Sequence, residues 1–332
     1  MSQKETGSKS TESESRLEVV GKEGNDFIVK VPNMETFVKI EDTYAEMFPM
    51  WVGRILITAD TEGWALTSAN VATGFASSII MSPAEAGLEK IVAPNTTPDG
   101  RPGAVIQIYH NFGYALKQQM LLRIGQCIMT CPTTAAFNAM EGGRVKRLRI
   151  GHSLSLFGDG FQKKDTLGDR KVWKIPVMEG EFVVEEFFSV KRGIAGGNFL
   201  ILARNPSSGL MSAEMAVRAI RKVDGVILPF PGGICRSGSK IGSLKYKLPA
   251  STNHNFCPSI RDATVDTQLS EDVNSVYEIV LNGLDLKSVQ KAIGDGIKAA
   301  ARVPGIVKIT AANYGGKLGP HKAVLSDVLD LQ

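Results

Sequence analysis

The sequence has few of the features that mark membrane, secreted or nucleic-acid-binding proteins. No stretch reaches the roughly 18 consecutive apolar residues that a membrane helix needs, and residues 1–16 lack the apolar centre of a secretory signal. Basic residues exceed acidic ones only slightly, 38 against 34, which argues against an extended nucleic-acid surface. We therefore expect a cytoplasmic protein that binds neither membranes nor nucleic acid.

Cysteine and histidine are also scarce and dispersed. The four cysteines, Cys127, Cys131, Cys235 and Cys257, are far too few for a disulfide-built scaffold, so we expect reduced thiols. The pair at 127 and 131 has three intervening residues, whereas a zinc knuckle has two, and it has no matching second pair nearby. No two of the four histidines are spaced to share one helix face. The sequence therefore predicts no catalytic metal.

The remaining composition is that of an ordinary globular protein. It contains 43% hydrophobic and 22% charged residues over 332 positions, enough for one large or two medium domains. Residues 1–16 are polar apart from Met1, which predicts a disordered tail. Residues 17–31 are predicted to form a small hairpin. We divide the chain into a tail with this hairpin (1–34), an N-terminal α+β lobe (35–175) and a C-terminal α+β lobe (176–332).

Apolar patterns typical of strands and helices alternate along both lobes. In the first lobe we predict strands at 54–58, 77–81 and 104–109 and helices at 62–72 and 114–129. In the second we predict strands at 181–188, 198–203, 225–228, 275–281 and 305–310 and helices at 212–223 and 285–301. Each half thus holds two β-α-β units, which predicts an α+β fold of two ferredoxin-like (split β-α-β) lobes packed together, with an N-terminal extension. A doubly wound dinucleotide fold is the main alternative, but no Gly-x-Gly-x-x-Gly motif follows a first strand.

Glycine-rich segments are the most unusual feature of the second half. They occupy residues 193–198, 230–234, 237–243 and 315–319. Because glycine permits positive φ and close backbone approach, such loops can direct N–H groups at an anion, a pterin-like edge or a developing oxyanion. Tight turns alone are the alternative for each of them. Residues 233–240 do not match a phosphate-binding loop, because Ser239 stands where that motif requires lysine.

Two charged features bear on chemistry. The alternation of residues 276–280 places Glu278 on the same strand face as Val276 and Val280. If that face is buried, desolvation raises the carboxyl pKa from about 4.3 toward neutrality, which suits a group that both donates and accepts protons; exposure on an edge strand is the alternative. The basic run at 144–149 is either a solvated loop or a landing site for an acidic tail.

Nine short segments resemble, in the same order, those of the formylmethanofuran:tetrahydromethanopterin formyltransferase family. They are residues 97–103, 123–127, 157–160, 171–176, 196–199, 229–233, 249–253, 276–280 and 315–319. The resemblance extends from about residue 35 to the C-terminus. It leaves the N-terminal extension and the basic run unmatched.

The resemblance implies reversible transfer of a formyl group between formylmethanofuran and N5 of tetrahydromethanopterin in one-carbon metabolism such as methanogenesis. It implies both coenzymes as cosubstrates, no metal or prosthetic group, and a homodimer or homotetramer with active sites at a subunit interface. Glu278 matches the family's acid/base glutamate, and the sequence suggests no nucleophilic triad, which favours direct transfer in a ternary complex. We predict supporting substrate contacts from Gly196, Gly197, Asn198, Gly232, Gly233, Ser237, Ser239, Ser251, Thr252 and Asn253.

Two other functions stay open at this point. A noncatalytic assembly subunit of a formyl-transferring one-carbon complex would keep the fold and use the N-terminal extension to dock a partner. The presence of Glu278 within Val-Tyr-Glu-Ile-Val argues against lost activity. A formyl hydrolase would replace the pterin amine by water, but such enzymes usually recruit a metal, and the sequence shows no ligand set.

Overall fold

The computed structural model describes residues 17–32, 35–142 and 145–331. Its strands are β1 (Glu18–Glu23), β2 (Asp26–Lys30), β3 (Phe37–Glu41), β4 (Tyr44–Thr58), β5 (Glu85–Val92), β6 (Gly103–His110), β7 (Ala135–Asn138), β8 (Lys146–Leu148), β9 (Lys163–Leu167), β10 (Arg170–Val177), β11 (Gly180–Glu185), β12 (Phe188–Ala203), β13 (Val226–Ile227), β14 (Lys240–Ile241), β15 (Ala250–Ser251), β16 (Ser275–Gly283), β17 (Ile306–Thr310) and β18 (His321–Val324). Its α-helices are α1 (Glu62–Thr73), α2 (Gly113–Arg123), α3 (Ile150–Ser155), α4 (Pro206–Ile220), α5 (Leu286–Ala300) and α6 (Leu325–Leu329), and a π-helical turn (Ile124–Ile128) continues α2.

The first half is an antiparallel sheet with helices on one face. Strand β4 lies between β6 and β7, and β5 pairs with the outer edge of β6. Alternate residues of these strands, such as Ile55 and Ile106, are fully buried beneath α1 and α2, in one apolar cluster with Ala69 and Met120. Helix α1 begins after Thr61, whose hydroxyl accepts the Trp64 N–H at 3.2 Å.

The second half repeats this arrangement. Strand β12 lies between β16 and β17, and β13 pairs with the outer edge of β16, all antiparallel. Phe199 and Ile279 point toward α4 and α5 and pack in one buried cluster with Ala216 and Ile293. Both helices start at a side-chain cap, Asn205 for α4 and Asp285 for α5.

The two long strands join the halves into one sheet. Residues 190–195 of β12 pair antiparallel with residues 48–53 of β4. Strand β4 also pairs with β6, β7 and β18, and β12 also pairs with β8, β16 and β17. The stretch in which β4 and β12 pair is therefore where the two halves of the molecule meet.

The N-terminal hairpin predicted at 17–31 is confirmed. Strands β1 and β2 form it, β2 pairs with β3, and β3 lies parallel to β17, so the extension widens the sheet of the second half. Leu17, Val29 and Val31 are buried in the core of that half. The predicted tail, residues 1–16, lies outside the described residues.

Several predicted boundaries are wrong. Residues 77–81 form turns, and the second strand of the first half is β5, whose three charged residues hide its apolar alternation. The predicted loop at 193–198 lies inside β12, where the register shifts between Ile194 and Gly197. The basic run is not wholly irregular, since β8 pairs with β12; Arg144 lies outside the described residues. None of the helices in the described ranges is long and apolar enough to cross a membrane.

Candidate active site

A cavity of about 360 Å³ lies between the two halves. The first half contributes residues 77–80, Glu85 and Asn111 to its wall. The second half contributes strands β12 and β16 and the segments around Phe230, Ser239 and Tyr314. Because both halves line it, their packing determines the shape of the cavity.

Glu278 lies on the cavity side of β16. Its neighbours Ile279 and Leu281 point into the helix-covered core, while Val280 lines the cavity beside it. Burial raises the pKa of Glu278 from 4.5 to about 7, although a hydrogen bond with the Cys235 thiol lowers it in part. At neutral pH the carboxyl group is therefore present in both protonation states, as reversible proton transfer requires.

Cys235 is the immediate neighbour of this carboxyl group. Its N–H donates to the Glu278 carbonyl at 2.8 Å and its carbonyl accepts the Glu278 N–H at 3.1 Å, so the two residues face each other across a β-bridge. Burial raises the pKa of the Cys235 thiol, and the charge of Glu278 raises it further. The thiol thus stays protonated and serves as a hydrogen-bond donor and not as a nucleophile.

The glycine bulge of β12 forms the cavity wall opposite the first half. Gly196 has φ +86°, and a Cβ there would lie 2.8 Å from Cε1 of Phe48, so this position requires glycine. Its N–H donates to Oδ1 of Asn282 at 3.1 Å. The predicted use of this N–H for an oxyanion therefore does not fit the structure, because the group already has a partner.

Asn198 fastens the bulge to the segment that follows β17. Its Oδ1 accepts the Ala312 N–H at 2.8 Å, and its Nδ2 donates to the carbonyls of Gly196 and Ala312, each at 3.2 Å. Protein atoms thus occupy three of the four hydrogen-bonding positions of this amide, including both of its donors. Asn198 lines the cavity but acts there as a structural link.

The glycine-rich segment 314–318 is held by a buried carboxylate, Glu46. The N–H groups of Tyr314 and Leu318 each donate to it at 2.8 Å, and that of Gly316 donates as well. Desolvation raises the pKa of Glu46, but these three donors and Lys322 outweigh it and leave the pKa below its usual value. The segment is therefore fixed by an ionised side chain from β4.

Tyr314 is placed in the cavity by this anchoring. Burial raises the pKa of its phenol, and the nearby charges of Glu278 and Glu46 raise it further. The hydroxyl thus remains protonated. Tyr314 also lines a neighbouring cavity of about 580 Å³, which contains Asn253, His254 and Asn313.

The predicted site residues fall into three groups. Gly196, Asn198, Ser239 and Glu278 line the first cavity. Ser237 and Asn253 line a smaller cavity of about 120 Å³ that shares Glu278 with it. Gly197, Gly232, Gly233, Ser251 and Thr252 line neither.

Packing explains most of this third group. A Cβ at Gly197 would lie 2.7 Å from Cγ1 of Val289, so this glycine faces α5. Gly233 closes a turn by donating to the Phe230 carbonyl at 2.8 Å. The Ser251 hydroxyl donates to the Gly242 carbonyl at 2.7 Å within a small ribbon. These residues shape loops beside the site and do not face the cavity.

Three residues of this site were missed by sequence reasoning. Glu85 belongs to β5, a strand that was not predicted, and Asn282 lies just beyond the predicted strand at 275–281. Tyr314 directly precedes the glycine pair at 315–316, and this adjacency to a glycine-rich segment was the available signal. Within the described ranges, no three His, Cys, Asp or Glu side chains are grouped so as to hold a metal ion.

The described part of the basic run, residues 145–149, lines none of these cavities. Arg147 stacks 4.3 Å from the ring centre of Phe187, and Arg149 lies 3.6 Å from the Glu186 carboxylate. Part of its charge is thus engaged within the protein. Its use as a landing site for an acidic tail stays a prediction.

A mixed α/β fold with a carboxyl group of raised pKa in a cavity between its two halves is typical of an enzyme. The family model described as formylmethanofuran-tetrahydromethanopterin formyltransferase matches residues 34–177, and the model of its proximal lobe matches residues 180–328. The chain belongs to this formyltransferase family.

Individual relatives agree with the family models. The chain is 55% identical over 296 residues to the formylmethanofuran–tetrahydromethanopterin formyltransferase of Methanocaldococcus jannaschii, covering 88% of this chain and 98% of the relative. It superposes on the solved formyltransferase of Methanosarcina barkeri with a TM-score of 0.85, at 51% identity, over 89% of this chain and 100% of that one.

A second solved structure shows the fold inside a larger assembly. It is the formyltransferase/hydrolase complex of Methylorubrum extorquens with methylofuran, which matches at 42% identity with a TM-score of 0.83, over 88% of this chain and 97% of that one.

Proposed function

We propose that this chain transfers a formyl group between formylmethanofuran and N5 of tetrahydromethanopterin. The observation that carries this proposal is the carboxyl group of Glu278, which has a pKa of about 7 in a cavity between the two halves. The names of relatives at 50–55% identity supply the substrates.

Direct transfer between two bound coenzymes fits the site. In the forward direction N5 of the pterin attacks the formamide carbon, the C–N bond to methanofuran breaks, and the pterin nitrogen loses a proton while the departing amine gains one. Glu278 accepts the first proton and donates the second, so it is unchanged after one turnover. Binding both coenzymes in neighbouring cavities removes much of the entropic barrier. The cavities that share Tyr314 have room for parts of two ligands.

The formyl oxygen becomes negative during attack and needs a donor. The Tyr314 hydroxyl is protonated, lines the cavity and lies within electrostatic reach of Glu278, so we assign this role to it, with the Ser239 hydroxyl as a second donor. Replacing Tyr314 by Phe should lower kcat about a hundredfold with little change in KM. An unchanged kcat would remove Tyr314 from this role.

We propose that each half is a ferredoxin-like lobe, divided as 35–175 and 176–332. The pairings described above support the ferredoxin-like pattern, because the strand order in the first half is β7-β4-β6-β5 and in the second β17-β12-β16-β13. With helices after the first and third strand of each half, this is the split β-α-β pattern. The family models also divide between residues 177 and 180.

We propose a homodimer or homotetramer in the cytoplasm. Large apolar side chains near the cavity support association, since Phe75, Met81 and Tyr114 are each more than 60% exposed. The four cysteines are free thiols, as a reducing compartment favours. Light scattering on the purified protein tests the assembly, and a monomer at micromolar concentration would contradict it.

The noncatalytic alternative is not favoured, because relatives along nearly the whole chain are named as the enzyme. The deciding experiment measures formyl transfer from formylmethanofuran to tetrahydromethanopterin by absorbance of the formylated pterin. The parent protein should be active, and Glu278→Gln should lower kcat at least about a hundredfold. If the parent is correctly assembled but inactive, the noncatalytic assembly role is favoured. If the Gln variant is active, the proposed function still holds but Glu278 has no catalytic role in it.

A further inference from the structure

A second carboxyl group, Glu85, enters the same cavity from the first half. It lies at the start of β5 with 6% of its surface exposed. Its Oε1 accepts the Ile79 N–H at 3.0 Å, and its Oε2 accepts Nδ2 of Asn282 at 2.6 Å. Each oxygen thus accepts a hydrogen bond from the protein, one from the first half and one from the second, and these bonds hold the carboxyl group in place.

Asn282 connects Glu85 to the glycine bulge of β12 through hydrogen bonds. It lies on β16, four residues after Glu278, and is fully buried. Oε2 of Glu85 accepts a hydrogen bond from this residue, so the NH₂ end of the Asn282 amide faces Glu85. The carbonyl end then faces the Gly196 N–H, which donates to it at 3.1 Å. Glu85 therefore fixes the orientation of the amide.

The bulge in turn positions the rest of the cavity wall. The Gly196 carbonyl accepts Nδ2 of Asn198, whose amide holds Ala312 by two hydrogen bonds. Ala312 and Tyr314, two residues later, line the cavity with Glu278. One continuous chain of hydrogen bonds thus runs from a carboxylate of the first half to the segment that carries Tyr314.

We propose that Glu85 is a positioning residue for formyl transfer, acting through Asn282 on the Gly196 bulge. The inference rests on the proposed function. It also explains why the two halves must pack together for the cavity to have its shape, since the hydrogen bond between Glu85 and Asn282 crosses from β5 to β16.

The donor-to-acceptor direction of these hydrogen bonds provides a sharp test. Glu85→Gln keeps the shape but brings an NH₂ group opposite the NH₂ of Asn282 while its oxygen still accepts the Ile79 N–H. Either two donors then face each other, or Asn282 flips and presents NH₂ to the Gly196 N–H. We expect kcat for formyl transfer to fall about tenfold or more, with KM changed less.

The compensating change is Asn282→Asp. In the double variant Glu85→Gln/Asn282→Asp, the new amide donates to the new carboxylate, which also accepts the Gly196 N–H. The pair again consists of one carboxyl group and one amide. We expect kcat to return to within about threefold of the parent, far above the product expected for two independent losses.

A second readout is independent of activity. Hydrogen–deuterium exchange of the peptide that contains Gly196 should speed up in the Gln variant and slow again in the double variant. The acidic limb of the pH–kcat profile should stay at the position set by Glu278 in both.

The outcomes separate the two claims. If the parent transfers no formyl group, the proposed function fails, and the exchange measurement still tests the hydrogen-bond chain. If the Gln variant keeps parental kcat and parental exchange, or if the double variant is no better than the single one in both readouts, the positioning role is contradicted.

Discussion

Two carboxyl groups, Glu89 on β5 of the first half and Glu278 on β16 of the second, have different surroundings. Glu89 on β5 is bound by Arg54 through two hydrogen bonds of 2.7 and 2.8 Å, by Nε2 of Gln107 at 2.7 Å and by the Gly225 N–H at 3.2 Å. Glu278 on β16 has no cation beside it in the described part of the chain, and its side-chain partner is the thiol of Cys235.

The difference shows how two glutamates in one fold can have different roles. Fully paired, Glu89 holds β4, β5 and the start of β13 together across the boundary between the halves. Among the residues that the structure describes, Glu278 has only the thiol as a side-chain partner, and burial raises its pKa to about 7, which suits the proton-carrying role that we propose for it. Within the described ranges, the presence or absence of a paired cation thus distinguishes the structural carboxylate from the carboxyl group that we propose to transfer protons.

The largest expected effect comes from removing the cation that pairs with Glu89, so that Glu89 becomes a buried carboxyl group without a cation, as Glu278 is in the described part of the chain. Arg54→Met would leave Glu89 buried without its cation, and we expect a loss of about 3–5 kcal/mol in the free energy of unfolding. Urea unfolding measures it. Lys90→Ala, which breaks the exposed pair with Asp224, is the matched control and should change stability by less than about 1 kcal/mol. Equal losses in the two variants would contradict the comparison.

A smaller effect concerns the pH dependence of stability at Glu278. Its pKa is about 7 in the folded protein against 4.5 for an ordinary glutamate, so between these values the folded state binds more protons than the unfolded state. Stability therefore falls as pH rises through that window.

The Glu278→Gln variant has no titrating group at this position, so its stability should not fall through this pH range for this reason. Relative to the parent, the variant should gain up to about 3 kcal/mol between pH 4.5 and pH 8. Urea unfolding at both pH values checks this. A stability difference that does not change with pH would mean that the carboxyl group titrates normally.

The smallest effect tests the Cys235 contact. Cys235→Ala removes the hydrogen bond that lowers the pKa of Glu278, so the acidic limb of the pH–kcat profile should move to higher pH. Cys235→Ser supplies a stronger donor in the same place and should move it to lower pH. Shifts of the same sign in both variants would exclude the thiol as the tuning group.

The sequence predicted the parts of the fold that depend on local pattern. The alternation around Glu278 placed it correctly beside Val280, and the helix that became α5 was expected within one residue at each end. Strand β5 was missed because Glu85, Glu89 and Lys90 interrupt its apolar pattern. These charges are tolerated because partners from distant segments bind them.

Hydrogen-bond partners across the two halves were beyond sequence reasoning. The glycines of 193–198 suggested a loop with free N–H groups. They instead form a bulge in β12, and the Gly196 N–H of this bulge donates to Asn282. Asn282 is separated from Glu85 by 197 positions. Neither residue type nor spacing indicates such a pair, so the role of Glu85 became visible only in the folded protein.

The most direct test of the central claim is a titration of Glu278 in the assembled, ligand-free protein. Carboxyl carbons labelled with ¹³C at glutamate would be followed by NMR from pH 4 to pH 9, and the signal absent from Glu278→Gln would identify the residue. We expect a midpoint near pH 7. A midpoint near 4.5, the ordinary value, would show that Glu278 is ionised throughout the neutral range and would contradict its role as the proton carrier.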